Sequence, residues 1–158
     1  MAKPPSVRDQ PTATLESGAA SAPFVDGYLA YLLARASHQI STEFHEEIKA
    51  AGLSVMEWRV LASLTNSPAL TIGELCDRCL SQQPTVTKLI ARMRQRGWVT
   101  RTDGRQDRRQ TFVELTPDGR TVAAPLLELA RGHEHRVLSG ISKSSQARLK
   151  ALLRELIC

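Results

Sequence analysis

The stretch Leu70–Trp98, LTIGELCDRCLSQQPTVTKLIARMRQRGW, limits the possible folds more than any other part of the chain. Thr71-Ile72-Gly73-Glu74 has the form of a capping box, in which a threonine hydroxyl and a glutamate carboxylate each satisfy an unpaired N–H at a helix start. The helix it opens is short and runs to about Cys79, where Leu80-Ser81 forms a tight turn. Ser81 is placed to cap a second helix, and Pro84 is tolerated in its first turn because an N–H there has no intrahelical partner. That helix runs to Arg96, with Val86, Leu89, Ile90 and Met93 on one face. Gly97 suits a left-handed residue just past its end, and Trp98 supplies the apolar contact that accompanies such an ending. A hairpin follows from Trp98 to Thr116. Helix, tight turn, helix and hairpin together predict a winged helix-turn-helix, whose second helix enters the major groove of DNA.

Helices flank this core. From Pro23, the apolar residues Val25, Leu29, Leu32, Ala36, Ile40, Phe44 and Ile48 recur every three or four positions and predict one long helix ended by Gly52. At about 25 residues it exceeds the usual globular helix, and a small domain cannot cover it alone, which points to a partner chain. Ser54-Val55-Met56-Glu57 is another capping box, opening a helix that Asn66-Ser67-Pro68 stops. Thr116-Pro117 starts a further helix with Val122, Leu126, Leu129 and Val137, and Ser142 caps a last one with Leu149, Leu152, Leu153, Leu156 and Ile157. Residues 1–22, rich in Pro, Ala, Ser and Thr, read as a mobile tail. The expected fold class is mainly α with a small β-hairpin wing.

Charge sharpens the functional reading. The chain of 158 residues carries a formal net charge of +5. Residues 81–109 hold eight Lys or Arg and two Asp, so this segment is +6 and the remainder is −1. A local basic patch on a near-neutral body is the footprint of a polyanion binder, the alternative being a solvated basic face. On the second helix, the side opposite the apolar face carries Pro84, Lys88, Ala91, Arg92 and Gln95, flanked by Thr85 and Thr87. Thr85, Thr87, Lys88 and Arg92 suit phosphate and base-edge contacts. Gln82 and Gln83 suit adenine edges, and Pro84 suits a thymine methyl.

Other classes find less support. There is no Ser/His/Asp order, no glycine-rich phosphate loop and no metal cluster, so no catalytic, metal or cofactor site is expected. Cys76-x-x-Cys79 has no second ligand pair of the kind a zinc site normally needs, and reads as structural thiols rather than a redox pair. The start lacks a signal-peptide pattern, no run approaches the length of a membrane span, and three cysteines suit a reducing compartment. The expectation is a cytoplasmic protein without membrane contact.

The residues Thr85-Val86-Thr87-Lys88-Leu89, Arg96-Gly97-Trp98-Val99, Asp107-Arg108-Arg109 and Leu115-Thr116-Pro117-Asp118-Gly119 carry a resemblance to the MarR family of bacterial regulators, which extends over about residues 24–158. The resemblance implies one domain over residues 23–158, with a DNA-binding core at 54–116 and dimerisation helices at 23–52 and 117–158. It implies a homodimer on a pseudo-palindromic operator, usually a repressor released by a small ligand. The family's wing carries an Asp-x-Arg pair, which falls here on Asp107 and Arg109. Residues two apart in extended chain point the same way, so Asp107 can brace Arg109 for the minor groove by a charge-assisted hydrogen bond. Arg108 then points oppositely, toward a phosphate, and Arg105 is a looser contact at the tip. At eight residues, Asp103–Gln110 is longer than the two to five usual for a hairpin loop.

The first long helix has a second stripe, Tyr31, Arg35, His38, Thr42 and His45, stepping by four and three. Aromatic, imidazole and guanidinium groups on one face suit a small aromatic carboxylate, the alternative being a solvated or dimer-facing stripe. The family's ligands commonly lie between the dimerisation helices and the winged domain, where Trp58 and Arg59 would line the same cleft. YLLARASHQISTEFH resembles members that sense aromatic or N-heteroaromatic acids. A small-molecule effector is therefore expected, with a ligand-independent or cysteine redox-responsive DNA binder as the alternative. Redox-sensing members use a cysteine in the first helix, which this chain lacks.

Overall fold

The computed structural model describes residues 23–103 and 110–157. The expected tail at residues 1–22 and the wing-tip residues Arg105, Asp107, Arg108 and Arg109 lie outside them. The chain divides into two units between Ala36 and Ser37.

The first unit contains α1 (Phe24–Gly27) and the opening of α2 (Leu29–Ala50). The apolar periodicity predicts one unbroken helix here, but Tyr28 takes extended backbone, φ −82° and ψ 112°, and separates the two. Gly27 lies at the break, where its low helix propensity weakens propagation. The Phe24 and Tyr28 rings stack with centroids 5.4 Å apart, a contact made across that break. Phe24, Val25, Tyr28, Leu29, Leu32 and Leu33 are all exposed in the single chain.

In the second unit α2 buries Phe44 and Ile48 and ends as its sequence predicts. Gly52 takes φ 79°, and the Leu53 N–H returns to the Ile48 carbonyl at 3.2 Å. Ser54 caps α3 (Val55–Leu64) with both arms of its capping box in place. Leu70–Thr71 forms β1, a strand absent from the sequence reading, before Thr71 caps α4 (Ile72–Cys79) by the second capping box. α5 (Gln83–Gln95) follows, then β2 (Val99–Asp103) and β3 (Thr111–Leu115). The expected hairpin is thus part of a three-stranded antiparallel sheet in the order β1-β3-β2. Leu70 pairs with Val113 and Val99 with Leu115, so the short first strand covers the edge of β3. α6 (Pro117–Val137) and α7 (Lys143–Ile157) complete the chain. The core lies between α3, α4, α5 and the sheet, built on Val60, Leu61, Leu75, Val86, Ile90, Met93 and Val113, with Ile48 from α2.

One junction joins α5, the sheet and α6. Gly97 takes φ 75°, which lets the Trp98 N–H reach the Met93 carbonyl at 3.0 Å and the Gly97 N–H reach that of Arg94 at 2.9 Å. The Thr116 N–H donates to the Trp98 carbonyl at 3.1 Å, and the Thr116 hydroxyl donates to the Gly97 carbonyl at 2.5 Å. Gly119 fits against the same carbonyl: a Cβ there would stand 1.9 Å from the Trp98 oxygen. On the other side, the Arg96 guanidinium lies 3.5 Å from the centre of the Trp98 ring and pairs with Glu57 at 2.9 Å.

Glu57 therefore serves two contacts at once. It receives the Ser54 N–H and hydroxyl, both at 2.8 Å, while holding Arg96. Burial pushes its carboxyl up, but the Ser54 hydrogen bonds and the charges of Arg96 and Arg92 outweigh this and hold it below its ordinary value. A carboxyl lowered in this way contributes stability that is present above its unfolded pKa and is lost as pH falls through the folded one.

Two stability measurements check this account. Gly119→Ala is expected to cost roughly 1–3 kcal/mol in urea unfolding, because backbone must move. Gly140→Ala, where an added Cβ meets nothing within 4 Å, is the neutral control. An unaltered Gly119→Ala protein would show that the junction is loosely packed. Glu57→Gln is expected to lose about 1–2 kcal/mol at neutral pH and to flatten the fall in stability on acidification below the ordinary carboxylate value of 4.5. A pH–stability curve parallel to that of the parent protein would refute the second expectation.

Candidate nucleic-acid interface

The helix-turn-helix is built from α4 and α5. Leu80 closes the turn in left-handed backbone, φ 52° and ψ 50°, and the Ser81 N–H reaches the Cys76 carbonyl at 3.0 Å. Ser81 is thereby used to end α4, and Gln82, not Ser81 as the sequence suggests, is the N-cap of α5. No side chain caps that end. Pro84 has no N–H and the Thr85 N–H turns back to the Gln82 carbonyl at 3.1 Å, so this end presents few free backbone donors.

The two faces of α5 separate cleanly. Val86, Leu89, Ile90 and Met93 are buried, whereas Gln82, Gln83, Pro84, Thr85, Thr87, Lys88, Ala91, Arg92 and Gln95 are all exposed. No acidic residue occurs between Arg78 and Asp103, so α5 places no acid of its own on the exposed face, although Glu57 of α3 lies near enough to Arg92 to feel its charge. α5 spans about 20 Å at 1.5 Å per residue, and the major groove, about 12 Å wide, admits a helix. Arg96 does not join this surface, since it is held by Glu57 and Trp98.

The wing begins on β2 and β3, paired as far as Asp103 and Thr111. The candidate residues Arg105, Asp107, Arg108 and Arg109 lie between them, outside the described residues. Arg101 on β2 is a basic residue that the sequence reading left out of the interface. Strand alternation alone points it inward, because Arg101 shares a face with buried Val99 two positions earlier and pairs with buried Val113, so no local signal marked it.

The candidate ligand residues are distributed between the two units. In the first, the Arg35 guanidinium lies 5.8 Å from the centre of the Tyr31 ring. In the second, His38 is exposed and His45 half-buried. Trp58 packs edge-on against Phe44 with centroids 5.3 Å apart. Arg59 donates to the Cys79 carbonyl at 3.0 Å and so helps to close the end of α4. A residue missed from the sequence, His133, also packs on Phe44 with centroids 5.2 Å apart, and it is only 5% exposed. Its Nε2 has no hydrogen-bond partner among the described residues. The spacing Leu126, Ala130, His133, Val137 places His133 on the inward stripe of α6, a signal present in the sequence.

Cys79 is fully buried and Cys76 partly so. Burial pushes the Cys79 thiol above its ordinary value, against the opposing effects of Ser63 and Arg59. A buried thiol held in its neutral form is a poor nucleophile and a poor redox sensor.

Comparison with known proteins agrees with this architecture. The MarR family model matches residues 51–110. The solved structure of the MarR family transcriptional regulator SPO1453 from Silicibacter pomeroyi is 44% identical, with a TM-score of 0.75 over 86% of this chain and 97% of that one. The transcriptional repressor IacR of Pseudomonas putida is 28% identical over 78% of this chain and 74% of its own length. The solved structure of Bordetella bronchiseptica BpsR, whose DNA binding is regulated by 6-hydroxynicotinic acid, is 25% identical, with a TM-score of 0.70 over 82% of this chain and 98% of that one. With the acid-free face of α5 beside a three-stranded wing, and a relative at 44% identity matched over nearly its whole length, the chain belongs to the MarR family of winged helix-turn-helix transcriptional regulators.

Proposed function

We propose that the protein is a homodimeric, cytoplasmic repressor that binds a pseudo-palindromic operator and is released from it by a small aromatic or N-heteroaromatic carboxylic acid. The observation that carries the DNA reading is the exposed face of α5, basic and free of acid, on a helix fixed by a buried opposite face. In this reading Lys88, Arg92, Thr85 and Thr87 contact phosphates and base edges, Gln82 and Gln83 read adenine, and Pro84 meets a thymine methyl. On the wing, Arg109 braced by Asp107 enters the minor groove, with Arg108 and Arg105 on the backbone.

The dimer reading is supported by apolar surface at both ends of the chain. In the first unit Phe24, Leu29 and Leu32 are exposed. In the second, Leu149, Leu152, Leu156 and Ile157 lie exposed along α7, which buries no residue in the single chain. Apolar patches of this kind mark interaction sites, and residues 23–52 and 117–158 are the proposed dimerisation helices around the DNA-binding core at 54–116. Repression is supported by the likeness to IacR.

The acid reading is supported by the likeness to BpsR and by the aromatic group Phe44, Trp58 and His133, whose buried imidazole nitrogen offers a hydrogen bond. His38 and His45 add imidazoles, and Tyr31, Arg35 and Arg59 remain candidates from the sequence.

Binding and assembly are separable by measurement. Lys88→Ala and Arg109→Ala are each expected to weaken operator binding by about tenfold in a mobility shift, roughly 1.4 kcal/mol, while sedimentation still shows a dimer. Leu152→Asp with Leu156→Asp is expected to yield a monomer that no longer binds. Unchanged binding by the first two variants would remove their side chains from the interface, and a dimeric double aspartate variant would remove α7 from the dimer contact. For the effector, thermal-shift screening of benzoate-, cinnamate- and nicotinate-type acids is expected to raise the melting temperature for at least one class, with His133→Phe and His38→Ala reducing the shift. The absence of a shift with all three classes would count against an aromatic acid effector.

A further inference from the structure

β2 packs beside α5 and leaves a groove of about 400 Å³ lined by Ala91, Arg94, Gln95 and Arg101. Its shape follows from the sequence. Val99 is buried, and Arg101, two residues on, lies on the same strand face opposite buried Val113 and is itself half-buried. The small side chain of Ala91 leaves space on the helix side. Arg94 and Gln95 flank that space on the next turn of α5.

Two guanidinium groups share the groove, and among the described residues no acidic side chain lines it. Like charges brought together disfavour each other, and an anion between them relieves that cost. The Arg101 Nη2 donates to the Thr111 hydroxyl at 3.4 Å, which orients the guanidinium, and among the described residues its other donors meet no acceptor. Gln95 adds a neutral amide donor. The donor set is that of a phosphate seat, planar guanidinium groups being suited to two-point contact with phosphate oxygens.

The groove's position selects the source of the phosphate. It lies between the helix assigned to the major groove and the strand that leads into the wing. A protein that occupies a major groove with one element and the adjacent minor groove with the next must be crossed between them by the intervening sugar–phosphate strand. We propose that Arg94 and Arg101 hold a backbone phosphate of that strand, and that this contact sets the angle between α5 and the duplex. The proposal rests on the DNA-binding reading above and adds two residues outside the face that reads bases. A phosphate contact of this kind positions the protein without carrying sequence information.

The test uses the full-length protein and a duplex of about 30 base pairs selected by that protein from a random pool, with affinity measured by fluorescence anisotropy over a series of KCl concentrations. Arg94→Gln and Arg101→Gln are each expected to weaken binding about five- to tenfold and to reduce the slope of log affinity against log salt by about one, without altering the ranking of base-substituted duplexes. Arg101→Lys is expected to keep the slope while losing part of the affinity, since it retains the charge but not the planar fork. Melting temperature and dimerisation should match the parent protein. Unchanged affinity and slope in both glutamine variants, while Lys88→Ala still weakens binding, would overturn the groove and leave the DNA reading standing. A changed base preference would make these residues readers of sequence and also overturn it. Competition by inorganic phosphate beyond that of chloride at equal ionic strength would identify a free-anion site instead. If the parent protein enriches no duplex, the DNA reading falls and the groove falls with it.

Discussion

The structure depends on the left-handed turn at Gly97. That single backbone conformation returns the Trp98 N–H to α5 and presents the Trp98 carbonyl to Thr116, at the start of α6. The same residue holds Arg96 against its ring, and Arg96 reaches across to Glu57 at the start of α3. Three helices and the sheet are thus referenced to one short segment. The absence of a Cβ at Gly119 is part of the same constraint, since α6 approaches Trp98 too closely for any side chain. Rigid placement of this kind matters for a DNA reader, because side chains that must match a fixed spacing of phosphates and bases gain nothing from freedom in the elements that carry them.

α5 shows how stability and recognition share one helix without interfering. Four apolar side chains fix its rotation, and all the candidate reading residues are left on the opposite side. The positive charge on that side is matched by no acid on α5 itself, which is tolerable because exposed charges are screened by water and salt. Elsewhere arginines are drawn into structural work: Arg59 closes the end of α4, Arg120 donates to the Leu115 carbonyl, and Arg136 pairs with Glu43 and Glu47. Basic residues are therefore not equivalent in this chain, and their count alone overstates the surface available to DNA.

Much of this was legible locally. Both capping boxes, the glycine-terminated ends of α2 and α5, and the buried face of α5 follow from near neighbours in sequence, and they occur where those neighbours predict. The departures arise where local signals compete or where a distant strand is needed. Tyr28 breaks an apolar stripe whose period alone favours continuity, while its ring stacks on Phe24. Ser81 has the chemistry of an N-cap but is drawn into the turn by the Cys76 carbonyl, which leaves that position to Gln82. β1 contains two residues and has no period to detect; it exists because β3 offers an open edge.

The sequence by itself determined the order of helices and strands, the basic segment and the recognition face, because capping, turn chemistry and helical periodicity act over a few residues. Only the tertiary structure decided which arginines are committed to carbonyls and carboxylates, that His133 lies buried against Phe44, and that Arg94 and Arg101 share one groove. Each of those outcomes depends on how separate elements pack against one another, and a linear pattern does not carry that placement.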